Sequence, residues 1–260
     1  MRLINNEGRN MYPILFSIGR YNFYTHGFVA VAGMIIGTIV SYYLARKKGL
    51  DYQYFFDNIV FTILFGIVGA RIAYILIYPD QFTGIIDALY IWQGGLVSYG
   101  GFVLGGIAFA ILVKKQGQVI QDWLDILIPG FFLGLSIGRI GDYLSGEYNG
   151  AASSIKPFLA DHSNIVPVSL YEAVLCFVIF VLSLVLFIKF MNVLRRGVLV
   201  WGSILLYSVG RFILDFYRVE NDLFWKLSPG QLFGLLLFLI SLIALIIAMR
   251  RERSEYDIAR

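Results

Sequence analysis

One cysteine and two histidines in 260 residues exclude several chemistries at the outset. Cys176 alone cannot close an intrachain disulfide or build a thiolate metal site, and its place inside an apolar run makes it a small buried hydrophobe. His26 and His162 are too few for a metal cluster, so no metal is expected. Charge is scarce as well. At 15% charged against 58% hydrophobic residues the composition excludes an ordinary soluble domain and indicates an integral membrane protein. No polar or proline-rich linker divides the chain, so residues 1–260 read as a single transmembrane domain.

What the chain has instead is apolar runs of helix-spanning length. Crossing about 30 Å of hydrocarbon takes about 20 helical residues, and seven such runs are present, near 24–45, 56–78, 96–113, 126–140, 170–190, 198–216 and 231–249. The fourth is short unless "QDWLD" is its amphipathic start. The runs are too long and unbroken for strands alternating between lipid and lumen, which predicts an all-α bundle of about seven transmembrane helices rather than a barrel. A small outside-facing loop region, 141–167, is expected between helices four and five. "MYPILFSIG" is short and leads straight into the first span, so no separate signal peptide is expected.

Basic residues set the orientation, because cytoplasmic loops carry the excess of Lys and Arg. Arg46, Lys47 and Lys48 follow the first run, Lys114 and Lys115 the third, Lys189, Arg195 and Arg196 the fifth, and Arg250, Arg251, Arg253 and Arg260 the seventh. The alternate connections hold far less: none from 79 to 94, Lys156 alone from 141 to 167, and Arg218 with Lys226 after the sixth run. Arg2, Arg9 and Arg20 in the N-terminal arm pull the other way, but four basic connections outweigh one arm. The N-terminus is expected outside and the C-terminus in the cytoplasm. The net charge of +4 belongs mostly to these loops, and no nucleic-acid partner is expected.

Against this background the charges inside the spans stand out. Arg139 closes the fourth run, with Asp142 and Glu147 close behind in "GRIGDYLSGEYNG". An intramembrane arginine either anchors a helix end at headgroup level or serves a site. In "YSVGRFILDFYR", Tyr207, Arg211, Asp215 and Arg218 recur at i, i+4, i+8 and i+11, which gathers them on one stripe of helix six. Such a stripe must face the bundle interior or a polar cavity. A structural Arg–Asp network accounts for the pairing, but Arg71, Arg139, Arg211 and Arg218 together exceed the nearby carboxylates, and surplus guanidinium groups suit a phosphate held in a fork. The residues alone therefore lead to an enzyme, flippase or receptor acting on an anionic phospholipid from the outer face. In "WQGGLVSYGGFVLGG", Gly101 and Gly105 form a G-x-x-x-G pair that either lets helices approach closely or leaves room for an acyl chain or peptide. Tyr99 lies among these glycines, and His26 near the outer end of helix one.

The segment "GRIGDYLSGEYNG" resembles the signature of prolipoprotein diacylglyceryl transferases, close to G-R-x-G-N-[FWY]-x-N-x-E-x-x-G. The likeness continues through "FSIG", "YTHGFVAVAG", "GARIAYILIY", "WQGGLVSYGG", "LYE" at residues 170–172 and "YSVGRFILDFYR", in the family's order. It implies an enzyme of the bacterial cytoplasmic membrane. Its substrates are phosphatidylglycerol and prolipoprotein signal peptides, whose lipobox cysteine receives the diacylglyceryl group as glycerol 1-phosphate leaves. By the same likeness Arg139, Glu147 and Gly150 match the signature loop, Tyr207 and Arg211 the helix-six pair, and Glu172 the "YE" glutamate, while Asp215 stands where the family commonly has glutamate. Arg139, Asp142, Gly150, Arg71, Arg211, Asp215, Arg218 and Glu172 are the expected phospholipid-binding residues, and Arg139, Arg211, His26, Tyr99, Glu147 and Tyr207 the expected catalytic ones.

Departures from the family pattern include four more. Tyr99 replaces a histidine credited with activating the thiol, His26 replaces a tyrosine, Asp142 the signature asparagine and Val166 a histidine before Pro167. With one histidine in a span, the expectation is His26 as base or base-assisting residue and Tyr99 as positioner. Arginines aimed at a departing phosphate supply preorganised electrostatic stabilisation, so no cofactor is required. A transporter, which would show repeats or broken helices, and a non-catalytic lipid-binding relative are the competing readings.

Overall fold

The computed structural model describes residues 12–19, 21–50, 52–82, 84, 95, 97–146, 150–151, 157–158, 164–190, 192–218 and 227–250. Seven α-helices occur among them: α1 Thr25–Lys47, α2 Tyr52–Ile77, α3 Ser98–Lys115, α4 Ile120–Ser145, α5 Val168–Phe190, α6 Val198–Asp215 and α7 Pro229–Arg250. Each apolar run forms a helix because a spanning segment must satisfy its backbone polar groups internally. Six of the seven are long and apolar enough to cross a membrane. This is the all-α, multi-pass architecture expected from the sequence.

Two boundaries differ from expectation. Helix α4 starts at Ile120, so "QDWLD" is its first turns, with Trp123 buried at their centre. It also runs on to Ser145, five residues into the expected outer loop. The polar residues that resembled loop are satisfied within the helix: Arg139 donates to Asp142 and the Ser145 hydroxyl donates to the Asp142 carbonyl at 3.0 Å. The N-terminal arm differs too. Strands β1 Ile14–Ile18 and β2 Tyr21–Tyr24 pair antiparallel around Gly19, whose φ of 61° favours glycine. The hairpin is tied down by Tyr12 N–H on the Leu144 carbonyl at 3.0 Å. Thr25 adds its backbone N–H on the Pro13 carbonyl at 3.0 Å and its hydroxyl on the Tyr12 carbonyl.

The chain divides into two compact units. One comprises 42–123, the other residues up to 41 together with 124–260. In the first, α2 packs closely on α3, since a Cβ on Gly101 or Gly105 would press on the backbone of α2 near Gly66, and one on Gly100 would strike Gly69. The G-x-x-x-G pair thus serves helix approach, and the space above Gly101 and Gly105 is filled by α2 rather than by substrate. Asn58, fully buried, exchanges two amide hydrogen bonds of 3.0 Å with Gln116, and Lys48 pairs with Asp122 at 2.9 Å.

In the second unit α1 and α4 meet at Gly33, Gly37, Gly130 and Gly134, and a Cβ on Gly130 would collide with the Gly37 carbonyl and the Ser41 hydroxyl. That contact runs α1 along α4 and leads the Thr25 end of α1 towards the Ser145 end of α4. Helices α5, α6 and α7 pack in sequence beside them. Helix α7 opens on a capping box formed by "SPGQ": the Ser228 hydroxyl accepts from Gln231 N–H at 3.1 Å, and Gln231 Oε1 accepts from Ser228 N–H at 3.0 Å.

Candidate functional site

The charged residues of α4, α5 and α6 converge on one side chain, Glu172. It lies in the first turns of α5 with no solvent exposure. Its Oε1 accepts the Tyr207 hydroxyl at 2.7 Å and lies 3.1 Å from Arg139 Nη2, while Oε2 accepts from Arg211 Nη1 at 2.6 Å and Arg218 Nη2 at 3.3 Å. A carboxylate buried without partners would be strongly unfavourable, and here three cations and a phenol compensate it. The stripe expected on α6 does face inward, because Tyr207, Arg211 and Asp215 all turn towards this centre.

Two further carboxylates complete the cluster. Asp142 accepts from Arg139 Nη1 at 2.8 Å and from Nδ1 of His26, a hydrogen bond across 116 residues of chain. His26 itself is 48% exposed, so it stands at the rim. Asp215 lies 3.3 Å from Arg211 Nη2 and 3.6 Å from Arg218 Nε, and accepts the Ser228 hydroxyl at 2.8 Å. The cap of α7 thereby fixes the far side of the site. No spacing in the sequence foretells Ser228 here, although its box motif marks a helix start. Ser136 likewise carries no sequence signal; its hydroxyl donates to the Ala173 carbonyl at 2.8 Å and joins α4 to α5 one turn below Arg139.

The sequence expectation of a surplus counts four arginines, three of which lie in one unit. Arg139, Arg211 and Arg218 face Asp142, Glu172 and Asp215, three cations against three carboxylates, so these described residues carry no surplus. The expected surplus rests on grouping Arg71 with the others. Arg71 belongs to the unit 42–123, where it is buried, donates to the Gly95 carbonyl at 3.0 Å and lies 5.7 Å and 5.2 Å from the Tyr74 and Phe82 ring centres. Tyr99 belongs to the same unit, in the first turn of α3, and its side chain lies outside the described residues. Glu147 and His162 lie outside them altogether. Gly150 acts through its backbone. It bridges to Arg218 while Ala151 N–H donates to the Tyr217 carbonyl at 2.8 Å, and a Cβ at 150 would strike the Val166 carbonyl. Among the described residues no group of His, Cys, Asp and Glu could hold a metal ion.

A cluster of this kind can fix three guanidinium groups in one orientation. Each guanidinium carries five N–H donors, more than the two carboxylate contacts that Arg139 and Arg211 each make. Beside them stands an imidazole whose Nδ1 is fixed by a carboxylate, the arrangement that sets its tautomer and leaves Nε2 as the proton acceptor.

Known proteins are similar to this chain in sequence over nearly its full length. The family model for prolipoprotein diacylglyceryl transferase matches residues 13–247. Phosphatidylglycerol–prolipoprotein diacylglyceryl transferase 1 of Clostridium perfringens (strain 13 / Type A) is 29% identical over 259 residues, covering 94% of this chain and 97% of that protein. The phosphatidylglycerol–prolipoprotein diacylglyceryl transferase of Bacillus velezensis is 29% identical over 272 residues, covering 98% and 97%, and that of Staphylococcus xylosus 28% over 258 residues, covering 93% and 91%. The match runs from the hairpin into α7 and takes in every helix that bears on Glu172, and the chain therefore belongs to the prolipoprotein diacylglyceryl transferase family of membrane transferases.

Proposed function

We propose that this chain transfers the diacylglyceryl group of phosphatidylglycerol to the lipobox cysteine of a prolipoprotein, releasing glycerol 1-phosphate at the outer face of a bacterial cytoplasmic membrane. The observation that carries the reading is the Glu172 hub, which holds Arg139, Arg211 and Arg218 from two helices and the segment after them. In the reaction the cysteine sulfur attacks the glycerol carbon that bears the phosphate. A C–S bond forms, the C–O bond breaks with its electron pair going to the phosphate oxygen, and the thiol proton passes to a base.

Arg139 and Arg211 meet the phosphate with donors that the carboxylates leave over, and stabilise the charge gathering on it as the C–O bond lengthens. Glu172 and Asp215 aim them; Tyr207 steadies Glu172. Because carboxylates hold the guanidinium groups in place, little reorganisation is needed when the phosphate departs. His26 receives the thiol proton at Nε2, with Asp142 holding Nδ1. A thiol of pKa about 8.5 is only slightly ionised at neutral pH and gains from such a base. Tyr99, Glu147 and Gly150 remain proposed site residues: Tyr99 a positioner, Glu147 and Gly150 by their match to the signature loop.

The test is incubation of the purified protein with phosphatidylglycerol and a lipobox peptide, followed by mass spectrometry. A diacylglyceryl thioether on the peptide cysteine, with glycerol 1-phosphate in equal amount, is expected. Lipid binding without thioether contradicts the reading. The proposed orientation predicts a cytoplasmic signal from a reporter fused after Arg260 and an outside signal from one inserted at Ser154, and the reverse labelling overturns it.

A further inference from the structure

Helices α5, α6 and α7 enclose a second feature that the reaction does not use, an apolar cavity of about 350 Å³. Its walls include Ile179, Leu182 and Leu186 of α5, Gly202 and Leu206 of α6, and Met249 of α7. The volume falls in the range of ligand pockets, about 300–1,000 Å³. Helix α6 lines the cavity from Val198 to Leu206, and Arg211 lies about 7.5 Å along the axis beyond Leu206 at about 1.5 Å per residue.

We propose that this cavity binds one acyl chain of an anionic phospholipid from the cytoplasmic leaflet, with the headgroup held by the basic residues at its mouth. The length favours a lipid chain: the walls on α5 and α6 extend about 12 Å, most of the roughly 15 Å of one leaflet, whereas a spanning peptide needs about 30 Å. Leu182, Leu186 and Leu206 are exposed, so the cavity opens towards the bilayer. The charges favour an anion. Lys189 lies one turn beyond Leu186 on the same face, Arg195 and Arg196 follow the wall residue Leu194, and Arg250 follows Met249. Asp125 of α4, near the start of α6, accepts from the backbone N–H groups of Gly197 and Val200 at 2.7 and 2.8 Å. The bound lipid is a structural ligand distinct from the substrate; this inference rests on the proposed orientation and stands independently of the proposed transfer.

Gly202 provides the probe, because a Cβ there meets nothing within 4 Å and a longer side chain would extend into open space. Full-length protein equilibrated with equal dioleoyl phosphatidylglycerol and dioleoyl phosphatidylcholine, then analysed by native mass spectrometry, should retain phosphatidylglycerol. Gly202→Leu should carry one phosphatidylglycerol fewer than wild type, and Gly202→Ala the same number as wild type. An unchanged number in Gly202→Leu, displacement of a peptide mass instead of a lipid, or equal retention of phosphatidylcholine at the displaced site overturns the proposal. Should Gly202→Leu fail to fold, Lys189→Gln with Arg195→Gln fills no space and tests the headgroup directly. A loss of phosphatidylglycerol preference of about tenfold or more is expected, and an unchanged preference contradicts the assignment.

Discussion

Two buried carboxylates in the same unit, Asp125 and Glu172, do opposite work. Asp125 on α4 accepts from backbone N–H groups, those of Gly197 and Val200 at the start of α6. The N-cap of α6 is Gly197, whose φ of 84° places it in the left-handed region and which has no side chain to cap its own helix. Asp125 supplies the missing acceptor from a neighbouring helix, and its negative charge meets the positive end of the helix dipole. Glu172 accepts from side chains, three guanidinium groups and a phenol. Backbone partners cannot turn towards a substrate, whereas guanidinium groups retain donors for one. On the proposed function, the type of partner, more than the burial, separates a carboxylate that holds the fold from one that prepares a site.

The sharpest way to break this comparison is to neutralise Glu172 without changing its volume. Glu172→Gln should lower transfer by on the order of 10²-fold or more, since the arginines lose the charge that aims them. Glu172→Ala should in addition lower the Tm strongly, because removing one partner of a buried ion-pair set costs about 3–5 kcal/mol. Normal transfer in Glu172→Gln with only a lowered Tm would make Glu172 a second Asp125.

The next effect concerns the rim. His26→Gln should lower the rate at neutral pH and remove the acidic limb of the pH–rate profile, with much of the rate returning at high pH as the thiol ionises unaided. Asp142→Asn should weaken the same limb by releasing Nδ1, while Tyr99→Phe should leave its position unchanged. An unmoved limb in His26→Gln discards His26 as the base and leaves the arginines as the source of thiol activation.

The smallest effect belongs to the cap. Asp125→Ala should cost about 1–2 kcal/mol, read as a lowered Tm, with transfer per folded molecule within about twofold of wild type. A loss of transfer comparable to that of Glu172→Gln would erase the distinction between the two carboxylates.

The sequence makes one side of this comparison more legible than the other. Apolar runs locate every helix, because in lipid each spanning segment must satisfy its own backbone. Spacing within one helix also gathers Tyr207, Arg211 and Asp215 on a face, since that geometry is local. Glu172 is marked by a family motif, but its place at the centre depends on how α4, α5 and α6 pack, which spacing does not encode. The His26–Asp142 contact spans 116 residues and has no local signal. The expected arginine surplus comes from adding charges along the chain, where pairing is decided in space. The hairpin is hidden because a short apolar segment ahead of a span reads as an extension of that span.

The central claim is that Arg139 and Arg211, fixed by Glu172, hold one departing phosphate between them. Mass-spectrometric assay of thioether formation in purified Arg139→Ala, Arg211→Ala and the corresponding Lys variants tests it most directly. Both Ala variants should be nearly inactive, and Lys should rescue poorly, because an ammonium cannot reproduce the planar fork of the guanidinium. Near-normal thioether formation in both Ala variants would contradict the claim.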